Sequence, residues 1–337
     1  MKRYYLQILL VVMVFSSCID EISQPENTYR QNFEALWEIV DTRYCYLDAK
    51  QINWDSVYSV YSSKLATDTV NEIVFFDAMD TMLCELKDGH VNLYSGFDVS
   101  RYSKWFSEFS ANFDPKLIYN DNYLGDNYRS INGLRYKKIA NGQVGYIYYS
   151  SFSNSFSDQN FRYIIQYFED CKGLIIDVRN NGGGSAELSN RLASYFFQRD
   201  TVSIYMQHKI GPGHSDFSAP QAMKTQANKN IQWQLPVIVL ANRSSYSATN
   251  MFVCRMKDAP NALVVGDVTG GGGGLPLSNE LPNGWMVRFS ASPMFDANMQ
   301  HIEFGIVPDI SVELDSVDLV KGRDTLIDYA VSVIVAN

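Results

Sequence analysis

The sequence predicts an α/β layered core preceded by a small helical subdomain, and two patterns carry that prediction. Before about residue 90, apolar residues recur every three or four positions, as one face of a helix requires. From Gln143 onward, short aliphatic runs alternate with helical stripes, the pattern of strands joined by helical crossovers. A composition of 46% hydrophobic, 14% aromatic and 19% charged residues lacks the polar bias of disorder, so the 337 residues can bury one sizeable core with a smaller attached piece.

Taken in order, the chain opens with a segment that reads as an export signal. Lys2 and Arg3 precede an apolar run from Leu6 to Phe15 that ends in Ser16, Ser17 and Cys18. The run is short for a membrane span. A small residue directly before a cysteine is what a bacterial lipoprotein signal peptidase requires, so residues 1–18 are expected to be a lipoprotein-type signal peptide and Cys18 the lipidated first residue of the mature chain. A plain secretory signal with a chance cysteine is the alternative. Both send the protein out of the cytoplasm, to the periplasm, the outer membrane or the cell surface, with membrane contact through a lipid anchor on Cys18 in the first case.

Residues 19–95 are expected to form the N-terminal helical subdomain. Phe33, Leu36, Trp37 and Val40 make one helical stripe, and Phe75, Phe76, Met79, Met82, Leu83 and Leu86 make a second that stops at Asp88-Gly89-His90. Residues 96–142, rich in Tyr, Ser and Asn, carry no periodic signal and read as a connector or cap. The core is expected over 143–312: strands over Val144–Tyr149, Leu174–Val178, Val237–Leu240 and Leu263–Val265, with the stripe Phe161, Ile164, Ile165, Phe168 and a helix from Ser247 to Met256 between them. The tail, 313–337, is expected to end in a helix near Leu326–Ile334.

Charge and cysteine usage exclude several functions. With 28 basic and 37 acidic residues the formal net charge is -9, so no broad basic field exists to collect phosphates and nucleic acid is not an expected partner. Cys45, Cys84, Cys171 and Cys254 stand at wide spacings that match no metal or redox motif, and read as buried thiols.

Three segments can carry chemistry. After the apolar strand ending at Leu240, the chain turns through Ala241-Asn242-Arg243-Ser244-Ser245-Tyr246 into a helix beginning near Ser247. A serine there is either a helix cap or a nucleophile, because free amides and the positive end of the helix dipole stabilise an alkoxide and the oxyanion it generates. In the second segment, the strand Gly173–Val178 runs into Arg179-Asn180-Asn181-Gly182-Gly183-Gly184; consecutive glycines let backbone amides face an anion, and the Lys-Ser/Thr end of a phosphate-binding loop is missing. A backbone oxyanion donor is thus an option here, with Gly183 the best candidate. The third is Asp88-Gly89-His90: of four histidines, His208 and His214 look like exposed loop residues, and His90, just past a helix, is the one suited to a catalytic role.

On these residues the chain resembles the C-terminal processing, or tail-specific, serine peptidases, in the tricorn-core-like branch without a PDZ domain. The likeness runs in order through Leu86–Leu93, Val144–Phe152, Gly173–Gly184, Pro236–Asn250, Val265–Gly274 and Gly305–Asp309. It implies a ClpP/crotonase-like core, Ser247 as nucleophile, and an oxyanion hole made by the amides of Gly183 and Ala248. The serine-lysine branch places its base in the glycine-rich segment, where this chain has Gly272, and no lysine occurs from Asp258 to Val320. The other branch uses a histidine with a carboxylate near the end of the core, which implies His90 as base and Glu303 as its partner; Asp88 is a local rival, and a solvated Glu303 the other possibility. Asn250 replaces a glutamate present in many relatives, and the run Gly270–Gly274 is expected to wall the substrate cleft.

The function so implied is that of an exported serine peptidase acting on peptide or unfolded protein, with no metal or organic cofactor. The alternative is a non-catalytic ligand- or peptide-binding protein on the same fold. An acyl-CoA enzyme of the wider crotonase group is disfavoured by the export signal.

Overall fold

A computed structural model of the chain describes residues 27–65 and 71–336, so the expected signal segment, Cys18 included, lies outside the described residues. The first helix, α1 (Tyr29–Arg43), starts at Thr28, whose side chain accepts from the Gln31 amide in a reciprocal capping box. Asn53 and Asn71 cap α2 (Trp54–Lys64) and α3 (Glu72–Cys84), each side chain accepting from the amide three residues on. The sequence pattern anticipated α1 and α3 but not α2, whose buried residues are only Trp54 and Tyr61 among serines and exposed side chains.

The next segment holds β1 (Asn92–Tyr94), the single turn α4 (Lys104–Ser107), and the strands β2 (Arg129–Ile131) and β3 (Leu134–Ile139). Beyond them come β4 (Val144–Tyr149), α5 (Asp158–Tyr167), β5 (Gly173–Asp177), α6 (Ala186–Ser194), β6 (Thr201–Met206), β7 (Gln221–Thr225), β8 (Val237–Ala241), α7 (Ala248–Met256) and β9 (Ala262–Gly266). The chain continues through β10 (Gly274–Glu280), β11 (Met286–Asp296), β12 (Ile310–Ser311), α8 (Ser316–Val320) and α9 (Thr325–Ala336).

Among the described residues these strands make two sheets. The larger has the order β12-β9-β8-β5-β4-β3-β2, parallel from β12 to β4 and antiparallel at β3 and β2. The stretch read as a connector therefore contributes two strands to this sheet; their alternation, half-buried at Lys137 and Lys138, is too short and polar to stand out in sequence. The second sheet is antiparallel, β1-β11-β6-β7, with β10 also pairing β11.

Three apolar layers separate these parts. One face of the large sheet packs Ile147, Ile176 and Val239 against Phe161 of α5, Leu192 of α6 and Phe252 of α7. The opposite face packs Tyr146, Ile175 and Leu240 against Leu326, Ile327 and Ala330 of α9. The N-terminal helices close on the second sheet, with Phe33, Leu36, Phe75 and Met79 against Val287, Phe289 and Ala291. Helix α7 is buried along its whole length because it serves both sheets: Ala248, Phe252 and Val253 face the first, while Met251 and Cys254 pack with Ile204, Met294 and Ile302 near the second. Its N-terminus is thereby fixed where the two layers and the helical subdomain meet.

Candidate active site

Ser247 occupies the N-cap of α7 with φ +58° and ψ -120°, a backbone conformation that costs a non-glycine residue about 1–3 kcal/mol and persists only when its surroundings impose it. Two bonds impose it here. The Ser247 amide donates to the Gly271 carbonyl at 2.9 Å, and its own carbonyl accepts from the Met251 amide at 3.0 Å. The hydroxyl is not consumed as a helix cap. Instead Ser247 Oγ lies 2.9 Å from His90 Nε2, joining residues 157 positions apart in the chain.

His90 reaches this point on the tight turn that follows α3. The Asp88 carboxylate accepts from the His90 amide at 2.8 Å, and Arg288 Nη1 donates to the His90 carbonyl at 3.5 Å, so the backbone of the turn is held from both sides. The ring packs on Tyr246 at 5.0 Å, and Trp105 stacks on Tyr246 with the ring centroids 4.0 Å apart. Gly89 is required between them, since a Cβ there would lie 2.5 Å from Trp105 Nε1. Burial pushes the imidazole down to about 4; Asp88 opposes this, while Arg288 and Lys50 add to it, so the ring is neutral and able to accept a proton at neutral pH.

The expected carboxylate contact is not made. Nδ1 of His90 has no hydrogen-bond partner among the described residues, although the Gly274 backbone is near enough to influence the ring's titration. Glu303 is buried but turned elsewhere: Oε1 pairs with Lys50 Nζ at 2.7 Å and Oε2 accepts from the Gly273 amide at 2.9 Å, and neither oxygen is bonded to the imidazole. Asp88 likewise bonds the backbone of His90, not its ring; it also accepts from Ser290 Oγ at 2.8 Å and from the Tyr44 hydroxyl at 3.1 Å.

Lys50 is the residue that sequence inspection missed. It is almost buried and lies 3.9 Å from Asp88 as well as 2.7 Å from Glu303. Burial works against its charge, yet Asp88 and Glu303 outweigh burial and raise it, so it stays an ammonium ion and cannot serve as a base. One cation cannot satisfy two buried carboxylates. Burial also works against the charge of Asp88, but Lys50, His90 and the hydrogen bonds hold it below the usual carboxylate range. Glu303 is pushed up to about 7, first by burial and then by the charge of Asp88, with Lys50 only partly offsetting them.

On the oxyanion side the two expected donors differ in what they are bonded to. The Ala248 amide has no acceptor among the described residues and lies at the positive end of α7. The Gly183 amide is engaged: it donates to Asn181 Oδ1 at 3.0 Å, because the Asn181 side chain is itself pinned by the Tyr149 carbonyl and the Thr249 hydroxyl. Gly183, at φ +100°, nevertheless presses on the serine, since a Cβ there would lie 2.9 Å from Ser247 Cβ and 3.0 Å from the Ala248 nitrogen. The five-glycine run is a packed part of the site, not a linker. A Cβ on Gly271 would meet the Glu303 carbonyl at 1.9 Å and one on Gly272 the Tyr246 ring at 2.4 Å. Asn250 joins this framework by donating to the Ile302 carbonyl and accepting from the Thr269 hydroxyl.

The remaining histidines stand apart from the serine. His208 Nδ1 meets Ser292 Oγ at 3.1 Å, and His214 lies between Asp41 and Asp48, so both are half-buried and bonded where the sequence context suggested exposed loop residues. Among the described residues no disulfide and no metal-binding cluster of His, Cys, Asp or Glu is found, and no helix is long and apolar enough to cross a membrane.

A serine at a strained helix start, bonded by a buried neutral histidine and flanked by a free amide, is the arrangement of a serine hydrolase. The sequence matches peptidase family S41 over residues 143–312 and the Tricorn protease C1 domain over residues 25–84. The chain belongs to peptidase family S41. A solved protein of Parabacteroides merdae is 48% identical to it, with 92% of this chain and 97% of that one covered and a TM-score of 0.87. The CtpA-like serine protease of Staphylococcus saprophyticus is 26% identical over 188 residues, which are 54% of this chain and 36% of that protein. The carboxy-terminal processing protease CtpA of Bacillus subtilis is 24% identical over 182 residues, 53% of this chain and 37% of that one. The matched part thus spans little more than a third of the length of these curated relatives.

Proposed function

We propose that the protein is an exported serine endopeptidase of the tail-specific type that hydrolyses peptide bonds in peptides or unfolded proteins. The observation that carries this reading is the 2.9 Å contact between Ser247 Oγ and His90 Nε2. In the tautomer with its proton on Nδ1, His90 takes the hydroxyl proton at Nε2 as Ser247 Oγ attacks the peptide carbonyl. The negative charge that forms on the carbonyl oxygen is met by the Ala248 amide, with Gly183 joining when its amide leaves the Asn181 side chain. Collapse of the intermediate expels the amine, which takes the proton back from Nε2, and water then attacks the acyl-enzyme by the same route in reverse.

The carboxylate part of this arrangement is indirect. Asp88 fixes the backbone that bears His90, and Glu303 acts through the Gly273 amide and Lys50 rather than on the ring. Export and a lipid anchor on Cys18, with a place in the periplasm or outer membrane or at the cell surface, rest on the signal-like residues 1–18 and complete the proposal.

The test is reaction of the purified mature protein with a fluorophosphonate, with the label located by mass spectrometry in wild type, Ser247→Ala and His90→Ala. Wild type is expected to label on Ser247, Ser247→Ala not at all, and His90→Ala more slowly by about 100- to 10,000-fold. Label that survives Ser247→Ala removes the nucleophile, and an unreactive wild type favours a binding protein on this fold.

A further inference from the structure

The N-terminal helical subdomain does more than cover the second sheet, because one of its side chains enters the site. Lys50 lies in the turn between α1 and α2, and Nζ donates at 3.2 Å to the carbonyls of both Leu86 and Lys87, the two residues before Asp88-Gly89-His90. Lys87 has φ +48°, a left-handed conformation that a lysine adopts only under constraint, and the bond to its carbonyl supplies one. The same ammonium reaches Asp88, which holds the His90 amide, and pairs with Glu303, which holds the Gly273 amide beside Gly272 and Gly271. The Gly271 carbonyl in turn accepts from the Ser247 amide. One cation therefore ties the turn that presents the histidine to the strand of glycines that presents the serine.

We propose that Lys50 is a positioning residue of this active site: by clamping the Leu86–His90 turn to the Glu303–Gly273 segment, it sets the approach of His90 to Ser247. This rests on the Ser247–His90 reading above and adds a requirement for the helical subdomain. The groups facing Lys50 are Asp88, Glu303, Cys45 and the rings of Tyr44 and Tyr46, 5.9 and 5.6 Å away. Those facing His90 are Asp88, Arg288 and Tyr246. Within this set Lys50 and Arg288 oppose protonation of the ring and Asp88 favours it, so loss of the Lys50 charge moves the ring toward its ordinary range.

The experiment measures fluorophosphonate labelling rate against pH for wild type, Lys50→Met and Lys50→Arg, with Ser247→Ala alongside and circular dichroism to establish folding. Lys50→Met is expected to shift the acid limb of the profile upward by about one pH unit and to slow labelling at pH 4.5 by roughly threefold. Lys50→Arg, which keeps the charge, is expected to hold the limb at the wild-type position. Where Lys50→Met leaves two unpaired carboxylates and does not fold, the double variant Lys50→Met/Glu303→Gln removes the ion pair as a unit and is expected to give the same upward shift. A folded Lys50→Met or double variant with the wild-type profile overturns the positioning role while leaving the nucleophile standing; label retained in Ser247→Ala overturns the hydrolase reading itself.

Discussion

Lowering the pH from 7.5 to 5.5 should leave the reactivity of Ser247 almost unchanged, and the reason lies in where His90 sits. The ring is 4% exposed, and burial moves it from 6.5 to about 4. At about 1.4 kcal/mol per pH unit, that gap favours the neutral ring by ~3 kcal/mol. At pH 5.5 an ordinary histidine is roughly 9% neutral, whereas one that titrates near 4 is roughly 97% neutral. The two cases thus differ about tenfold in the population able to accept the serine proton. The assay is the second-order rate of fluorophosphonate labelling between pH 3.5 and 8, with unfolding followed in parallel by circular dichroism. A limb centred near 4 is expected. A limb centred at 6.5 or above in protein that remains folded refutes the claim that burial, with help from Arg288 and Lys50, outweighs the pull of Asp88 on the ring.

Two substitutions probe the supports of the site. Gly272→Ala adds a Cβ about where the Tyr246 ring stands, 2.4 Å from its Cζ, at a φ of +74°, so it should lower stability by about 2–4 kcal/mol and slow labelling, as read by thermal unfolding and fluorophosphonate rate; an unchanged melting temperature contradicts the close packing. Glu303→Gln tests the raised carboxyl: a group that moves from 4.5 to about 7 on folding gives stability that is present below 4.5 and lost as pH rises through 7, up to ~3 kcal/mol. The melting temperature of Glu303→Gln relative to wild type should therefore move in the variant's favour between pH 4.5 and 7.5, and a flat or opposite trend counts against a carboxyl held partly neutral.

Much of the fold could be read from the chain because some segments carry dense signals. The strands β4, β5 and β8 are continuous apolar runs buried on both faces, and α3 shows an unbroken stripe. The second sheet could not be read in this way. In β11 the apolar residues are interrupted by Arg288, Ser290, Ser292 and Pro293, and β7 is Gln-Ala-Met-Lys-Thr, so neither gives a continuous apolar run although β11 forms the spine of that sheet. At the site, Ser247 and His90 lie at the ends of recognisable elements, which is why both stood out. Lys50 did not, because its burial comes entirely from the segments that close over a polar turn. Nor could the sequence reveal that the Gly183 amide is taken by Asn181, a contact two residues apart that depends on how the loop is folded.

The same burial that makes His90 a usable base also explains why the carboxylates are kept off its ring. A carboxylate bonded directly to Nδ1 would favour the imidazolium and pull the ring upward. Here the nearest carboxylate, Asp88, spends its oxygens on the His90 amide, Ser290 and Tyr44, and Glu303 spends its own on Lys50 and Gly273. What reaches the imidazole is a balance of charge: Asp88 favours the cation, while Lys50 and Arg288 oppose it. That balance also bears on stability. Between about 4.5 and 6.5 the depressed His90 makes the fold more stable as pH rises, and the raised Glu303 makes it less so by a similar ~3 kcal/mol, so the pair nearly cancels. The site can thus keep its base neutral in mildly acidic surroundings without this pair making the fold markedly less stable there.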